Sequence, residues 1–176
     1  MDKDQIIDFY KSTNQYYANY HNHKETSAWA GLVLYMAFAG LINLFKIPVQ
    51  SQIEITILIS FFVVAITVFV YRYISIQLKM KDRAGAYSAA AFSFLNELMT
   101  NKKLTESELV QYLEIEESED TIAQSSHVLP KKFLKKSRVL NTRGRGFQDQ
   151  TRTMIYGILF AICFLTLTLK FWALVA

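Results

Sequence analysis

The chain has 176 residues, 52% of them hydrophobic, with one cysteine and a formal net charge of +4. A single cysteine excludes an intrachain disulfide, and Cys163 lies mid-stretch among apolar residues, where a thiol is a small filler rather than a nucleophile. Three uncharged apolar stretches, 26–45, 55–71 and 153–169, exclude an ordinary water-soluble domain. Each has roughly the 17–25 residues a helix needs to cross about 30 Å of hydrocarbon.

In chain order, residues 1–25 read as a lead-in helix. The start, MDKDQIIDFYKS, is acidic and lacks a basic segment followed by an apolar one, so no cleaved signal peptide is expected. Ile6, Tyr10, Tyr17 and Tyr20 share one helical face, with Phe9 and Tyr16 beside them. That face either packs on a neighbouring domain or, through Tyr16, Tyr17, Tyr20 and His21, offers a stacking platform for a planar ligand.

Residues 26–76 read as a transmembrane hairpin. Its first helix carries the small residues Ala28, Ala30, Gly31, Ala37, Ala39 and Gly40, which permit close backbone approach in lipid. Asn43 is polar near the end of that span and is expected at the headgroups. Pro48 disfavours a helical residue before it, so the chain turns after Lys46. Thr56, Ser60 and Thr67 follow in the second helix, where hydroxyls satisfy themselves on the carbonyl one turn earlier. Nothing breaks the helix afterwards: one long helix is predicted from about Glu54 to Met99, with Ala84, Tyr87, Ala91, Phe94, Leu95 and Leu98 on one apolar face.

Residues 77–152 form a polar helical segment, too short for a large core of its own. It is expected to pack against extensions of the membrane helices or against other subunits. Thr105-Glu106-Ser107-Glu108 fits a capping box opening a short helix. Charge then changes sign. Residues 101–120 hold seven acids against two lysines, whereas 131–152 hold eight bases against Asp149 alone. Pro130 starts a helix carrying KKFLKKSRVL, and the loop NTRGRGF is expected before the third span, 153–176. Lys170, near the end of that span, is expected to snorkel to the surface.

Of the 19 lysines and arginines, 14 lie between Arg72 and Arg152, while the 46–54 loop has Lys46 alone. The positive-inside rule therefore places the N-terminus and 72–152 in the cytoplasm, and the 46–54 loop and C-terminus outside. No charge lies deep in a span, so the usual mark of an ion-coupled transporter is missing. No catalytic constellation, phosphate loop or dinucleotide fingerprint occurs. His21-x-His23 places its imidazoles on different helical faces, so neither a metal nor another cofactor is expected. An enzyme is not expected.

The candidate ligand site is the basic run: Lys131, Lys132, Lys135, Lys136, Arg138, Arg143, Arg145 and Phe147, with Tyr17 and Tyr20 as stacking residues. Arginine grips phosphate bidentately, glycine lets the backbone approach it, and Phe147 offers a ring to a base. The same cluster would also hold anionic inner-leaflet lipid.

The order of these parts resembles the SLATT family, bacterial two-span effectors found beside nucleotide-signalling enzymes in anti-phage defence. The resemblance spans roughly 5–140: the lead-in YYANYHNHKETSAW, the hairpin, RAGAYSAAAFSFLNEL, LTESELVQYL and SSHVLPKKFLKKS. The third span departs from the family's two. The arrangement is also similar to membrane effectors of the Hailong type, in which a partner nucleotidyltransferase makes a DNA oligomer that restrains the effector. The resemblance implies a homo-oligomeric channel or membrane-disrupting effector in a bacterial inner membrane, governed by a nucleotide or oligonucleotide. The alternative is a non-conducting scaffold that recruits a cytosolic enzyme through the same basic face. The expected fold is all-α, with three transmembrane helices and a helical cytosolic domain on an extended second helix.

Overall fold

The structure, a computed structural model, describes residues 3–46, 52–101, 106–114, 129–144 and 150–175. It is all-helical, with no strand among the described residues. The helices are α1 (Lys3–Leu44), α2 (Gln52–Thr100), α3 (Glu106–Gln111), α4 (Lys131–Gly144) and α5 (Gln150–Val175). Lead-in and first span are thus one uninterrupted helix, and α2 runs for 49 residues because a single glycine, Gly85, and no proline interrupts it. Pro48 and Thr105, expected to set a turn and a cap, lie outside the described residues.

Helices α1, α2 and α5 are long and apolar enough to cross a membrane. Less than a third of each apolar window is buried within the chain. Phe61, Phe69 and Phe164 are 70%, 73% and 73% exposed. So much outward apolar area is compatible with a membrane location, where lipid replaces water against these rings.

The chain divides into two compact units. The first comprises residues 1–23 and 80–147, the second 24–79 and 148–176. Helices α1 and α2 each contribute residues to both.

The first unit has an aromatic core of Ile6, Tyr10, Phe94, Leu98, Tyr112 and Phe133, with Ala90 and Ala91 completing it. Tyr10, Phe94 and Phe133 form a triangle of rings with centroids 5.3 to 6.3 Å apart, the spacing at which tilted aromatic pairs gain beyond simple burial. Alanine at 90 and 91 lets α2 present a low surface to these rings. Pro130 directly precedes helix α4, and its carbonyl accepts from the Leu134 amide at 3.0 Å. Its Phe133 and Ser137 are buried and Leu140 is partly buried, a stripe at spacings of four and three. The loop expected from Asn141 begins later. Helix α4 continues through Gly144, with Thr142 Oγ1 bonding back to the Arg138 and Val139 carbonyls at 3.2 and 2.8 Å, as a helical hydroxyl can.

The second unit buries Ala28, Leu32, Tyr35, Ile74, Leu78, Ile155 and Leu159. Gly31 belongs to this packing. A Cβ there would stand 2.9 Å from the Tyr73 ring, so its smallness serves a contact within the chain; among the described residues nothing lies within 4 Å at Gly40. Ser60 and Thr67 bond back to the Thr56 and Val63 carbonyls at 2.7 and 2.6 Å, and Tyr35 reaches Thr67 Oγ1 at 2.7 Å. Lys170 does not snorkel. It is 7% exposed and donates to the Phe45 carbonyl at 2.9 Å and to that of Asn43 at 3.4 Å. The last turn of α1 contains no basic residue of its own, and an ammonium beside its final carbonyls compensates both their missing partners and the helix dipole.

Candidate functional site

Helix α4 is amphipathic, and its core stripe fixes which way its charges point. With Phe133 and Ser137 buried, Lys131, Lys132, Lys135 and Arg138 fall on the exposed side. These four form a contiguous basic face over two helical turns. The side chain of Arg143, and all of Arg145 and Phe147, lie outside the residues whose placement is described.

Lys136 differs from its neighbours. Its Nζ stands 4.5 Å from the centroid of the Phe94 ring and 4.0 Å from Glu97 Oε2. It is a cation over the edge of the aromatic core, tied to α2. Lys132 donates to Gln111 Oε1 at 2.6 Å and lies 5.5 Å from the Tyr112 ring centroid. The basic helix is therefore joined to its unit by two of its own lysines.

Glu97 connects the two sides. It accepts from the Tyr112 hydroxyl at 2.8 Å through Oε1 while Oε2 faces Lys136. Burial, followed by this hydrogen bond and the charge of Glu97, pushes the Tyr112 hydroxyl up to about 12. Lys136 and Tyr112 thus share the one Glu97 carboxylate.

The two tyrosines expected to stack a base are placed differently. Tyr17 packs edge-on against Tyr87, centroids 4.8 Å apart, and Tyr87 in turn lies 5.9 Å from Phe133 on the buried face of α4. Its ring is thus engaged in the core side of the unit, and burial raises its hydroxyl to about 12. Tyr20 lies parallel to the exposed Tyr16 at 6.3 Å and donates to Met80 Sδ at 3.8 Å. His21 faces the Lys81 carbonyl at 3.1 Å.

An open groove of about 460 Å³ lies between α1 and α2 in the first unit, lined by Asn14, His21, Asn22, Gly85, Ser88 and Phe92 among others. Ser88 donates to Asn14 Oδ1 at 2.6 Å across it. Sequence reasoning noted His21 but missed the groove. Its trace is the small series Gly85, Ser88 and Ala89, and a Cβ on Gly85 would meet the His21 ring at 3.1 Å. Among the described residues no cluster of His, Cys, Asp or Glu has the makings of a metal site.

No protein-family model matches this chain, and no curated protein or solved structure does.

Proposed function

We propose that this chain is a membrane effector of bacterial anti-phage defence, which self-assembles into a channel or a membrane-disrupting oligomer. Its state is set by an anionic nucleotide or oligonucleotide bound on the basic face of α4, made by a partner nucleotidyltransferase. The first unit then lies in the cytoplasm, on the side favoured by the distribution of lysine and arginine. Three spans in one chain are too few to enclose an aqueous pore, so conduction requires several copies.

One observation carries this reading. The exposed cations of α4 stand on a helix whose Lys136 grips Phe94 and Glu97 of α2, and α2 is the same unbroken helix that supplies Val63, Thr67 and Ile74 to the buried interior of the second unit. Phosphates drawn to Lys132, Lys135 and Arg138 pull on Lys136 and so on the Glu97–Tyr112 pair. Control by the ligand follows if α2 takes two arrangements that the occupied and empty basic face favour unequally.

Reconstitution in anionic vesicles tests it. Dye or ion release is measured with and without short single-stranded DNA, RNA and cyclic nucleotides. A release rate that one of these ligands changes is expected. Vesicles that stay sealed at every protein-to-lipid ratio, with a partner enzyme co-purifying, would favour the scaffold instead.

A further inference from the structure

A cavity of about 520 Å³ opens at the hairpin end of the second unit, among the last residues of α1, the first turns of α2 and the end of α5. Its volume falls within the roughly 300–1,000 Å³ typical of small-molecule sites. Asn43, Lys46, Gln52, Thr56 and Lys170 line it, with Leu169 and Phe45 on its wall. Gln52 is used structurally, donating to the Ala173 carbonyl at 2.7 Å.

Among the described residues, two polar groups there lack partners. Thr56 is wholly buried, and its hydroxyl has no hydrogen bond, although Ser60 and Thr67 on the same helix both bond back to the backbone. Asn43 Oδ1 is likewise buried and unpaired. An unmade hydrogen bond on a buried polar atom costs about 1–3 kcal/mol, so two at one cavity call for an occupant. Beside them Lys170 buries an ammonium whose named acceptors are neutral carbonyls. Those two bonds use two of its three N–H groups, and among the described residues the third is open to a further acceptor. Lys46 adds a second, exposed cation.

We propose that this cavity is a phosphate-binding site, in which a phosphate accepts from Lys170, Lys46 and the Thr56 hydroxyl. The phosphate is supplied by a phospholipid headgroup or as a free ion. A headgroup with its own hydroxyl, such as glycerol, also donates to Asn43 Oδ1. Neutralising a buried ammonium is what an anion gains here over water. This site is separate from the basic face of α4 and does not depend on the function proposed above.

The test uses the full chain purified in mild detergent, with native mass spectrometry as the readout. It is titrated with phosphatidylglycerol, with diacylglycerol of the same acyl chains, and with inorganic phosphate. Phosphatidylglycerol is expected to survive activation energies that strip diacylglycerol, at one per chain. Thr56→Val, close to isosteric, and Lys170→Met should each weaken retention about tenfold, the scale of a hydrogen bond to a charged group. Lys46→Ala should weaken it less. Circular dichroism establishes that each variant is folded, and Thr56→Val and Lys46→Ala carry the test if Lys170→Met is not. Phosphatidylglycerol that inorganic phosphate does not displace assigns the site to lipid; an inorganic phosphate adduct lost in the variants assigns it to the free ion. Equal retention of phosphatidylglycerol and diacylglycerol with no phosphate adduct overturns the proposal, as does wild-type binding by the folded Thr56→Val and Lys46→Ala variants.

Discussion

The Tyr10 hydroxyl donates to the Tyr112 carbonyl at 2.6 Å, joining α1 to the turn after α3 across 102 positions of sequence. Both residues are buried, so the bond is made away from competing water. Tyr112 passes the connection on, its own hydroxyl bonding Glu97, which faces Lys136. Tyr10→Phe leaves the ring packing intact but strands the Tyr112 carbonyl. The expected loss is about 1–3 kcal/mol in the first unit, seen as earlier thermal unfolding and faster proteolysis between α3 and α4. Unchanged melting and cleavage would mean that the bond contributes nothing net.

Alkaline pH should loosen the same unit. Burial, as the largest cause, lifts Tyr17 and Tyr112 from 10.0 to about 12 and Tyr10 higher still. A hydroxyl that keeps its proton when folded but releases it at 10.0 when unfolded stabilises the fold fully below pH 10. That contribution falls away as pH rises from 10 through 12. Tyrosinate absorbance should therefore appear in two phases, the later one coinciding with loss of helical circular dichroism. A single titration of all ten tyrosines near pH 10 with the helices unaffected would contradict the burial described.

Much of this architecture was written in local patterns. Runs without charge mark the spans, and the stretch from Gln52 to Thr100 reads as one helix because only Gly85 relieves it. Patterns fail where partners are remote. Lys170 looks like a snorkelling lysine, yet its acceptors are carbonyls 125 and 127 positions away. Lys136 is indistinguishable in sequence from Lys132 and Lys135, and only the placement of Phe94 sets it apart. Periodicity put Tyr10 and Tyr17 on one face without showing that a core would occupy them. The cavity at Thr56 is a meeting of three helix ends, and no local signal announces such a meeting.

The charge distribution predicts a topology that can be tested directly. A reporter active only outside the cytoplasm should work when fused after Ala176 and fail when inserted near Glu117. With one basic residue in the 46–54 loop against fourteen from Arg72 to Arg152, the bias is large. Activity at Glu117 would reverse the orientation and remove the basic face from any cytosolic ligand.

Self-association should show in detergent and in lipid discs as a particle of several copies. Gly40 offers a probe, since among the described residues nothing lies within 4 Å of where its Cβ would stand. Gly40→Leu should leave the protomer folded and change only how copies meet. Gly31→Leu should instead disturb the protomer, because Tyr73 occupies the space. A strictly monomeric wild-type particle in both media would leave a channel without walls.

The basic face of α4 can be tested separately from its anchorage. Lys131→Ala, Lys135→Ala and Arg138→Ala together remove exposed cations while sparing the buried Phe133 and Ser137 and the anchoring Lys132 and Lys136, so α4 should stay docked. If each cation meets a phosphate of a single strand, the slope of log affinity against log salt should fall by about 2, at ~0.7 per contact. Glu97→Gln should act in the opposite direction, since it frees Lys136 from its carboxylate partner and strengthens oligonucleotide binding. Toxicity on expression then distinguishes the sign of control. A ligand that restrains the membrane effector makes the triple variant constitutively toxic, whereas an activating ligand makes it inert. Lipid anchoring alone predicts weaker attachment to anionic vesicles with nucleic-acid binding unaltered. Triple-variant binding and toxicity equal to wild type across short DNA, RNA and cyclic nucleotides would remove this face as the controlling site.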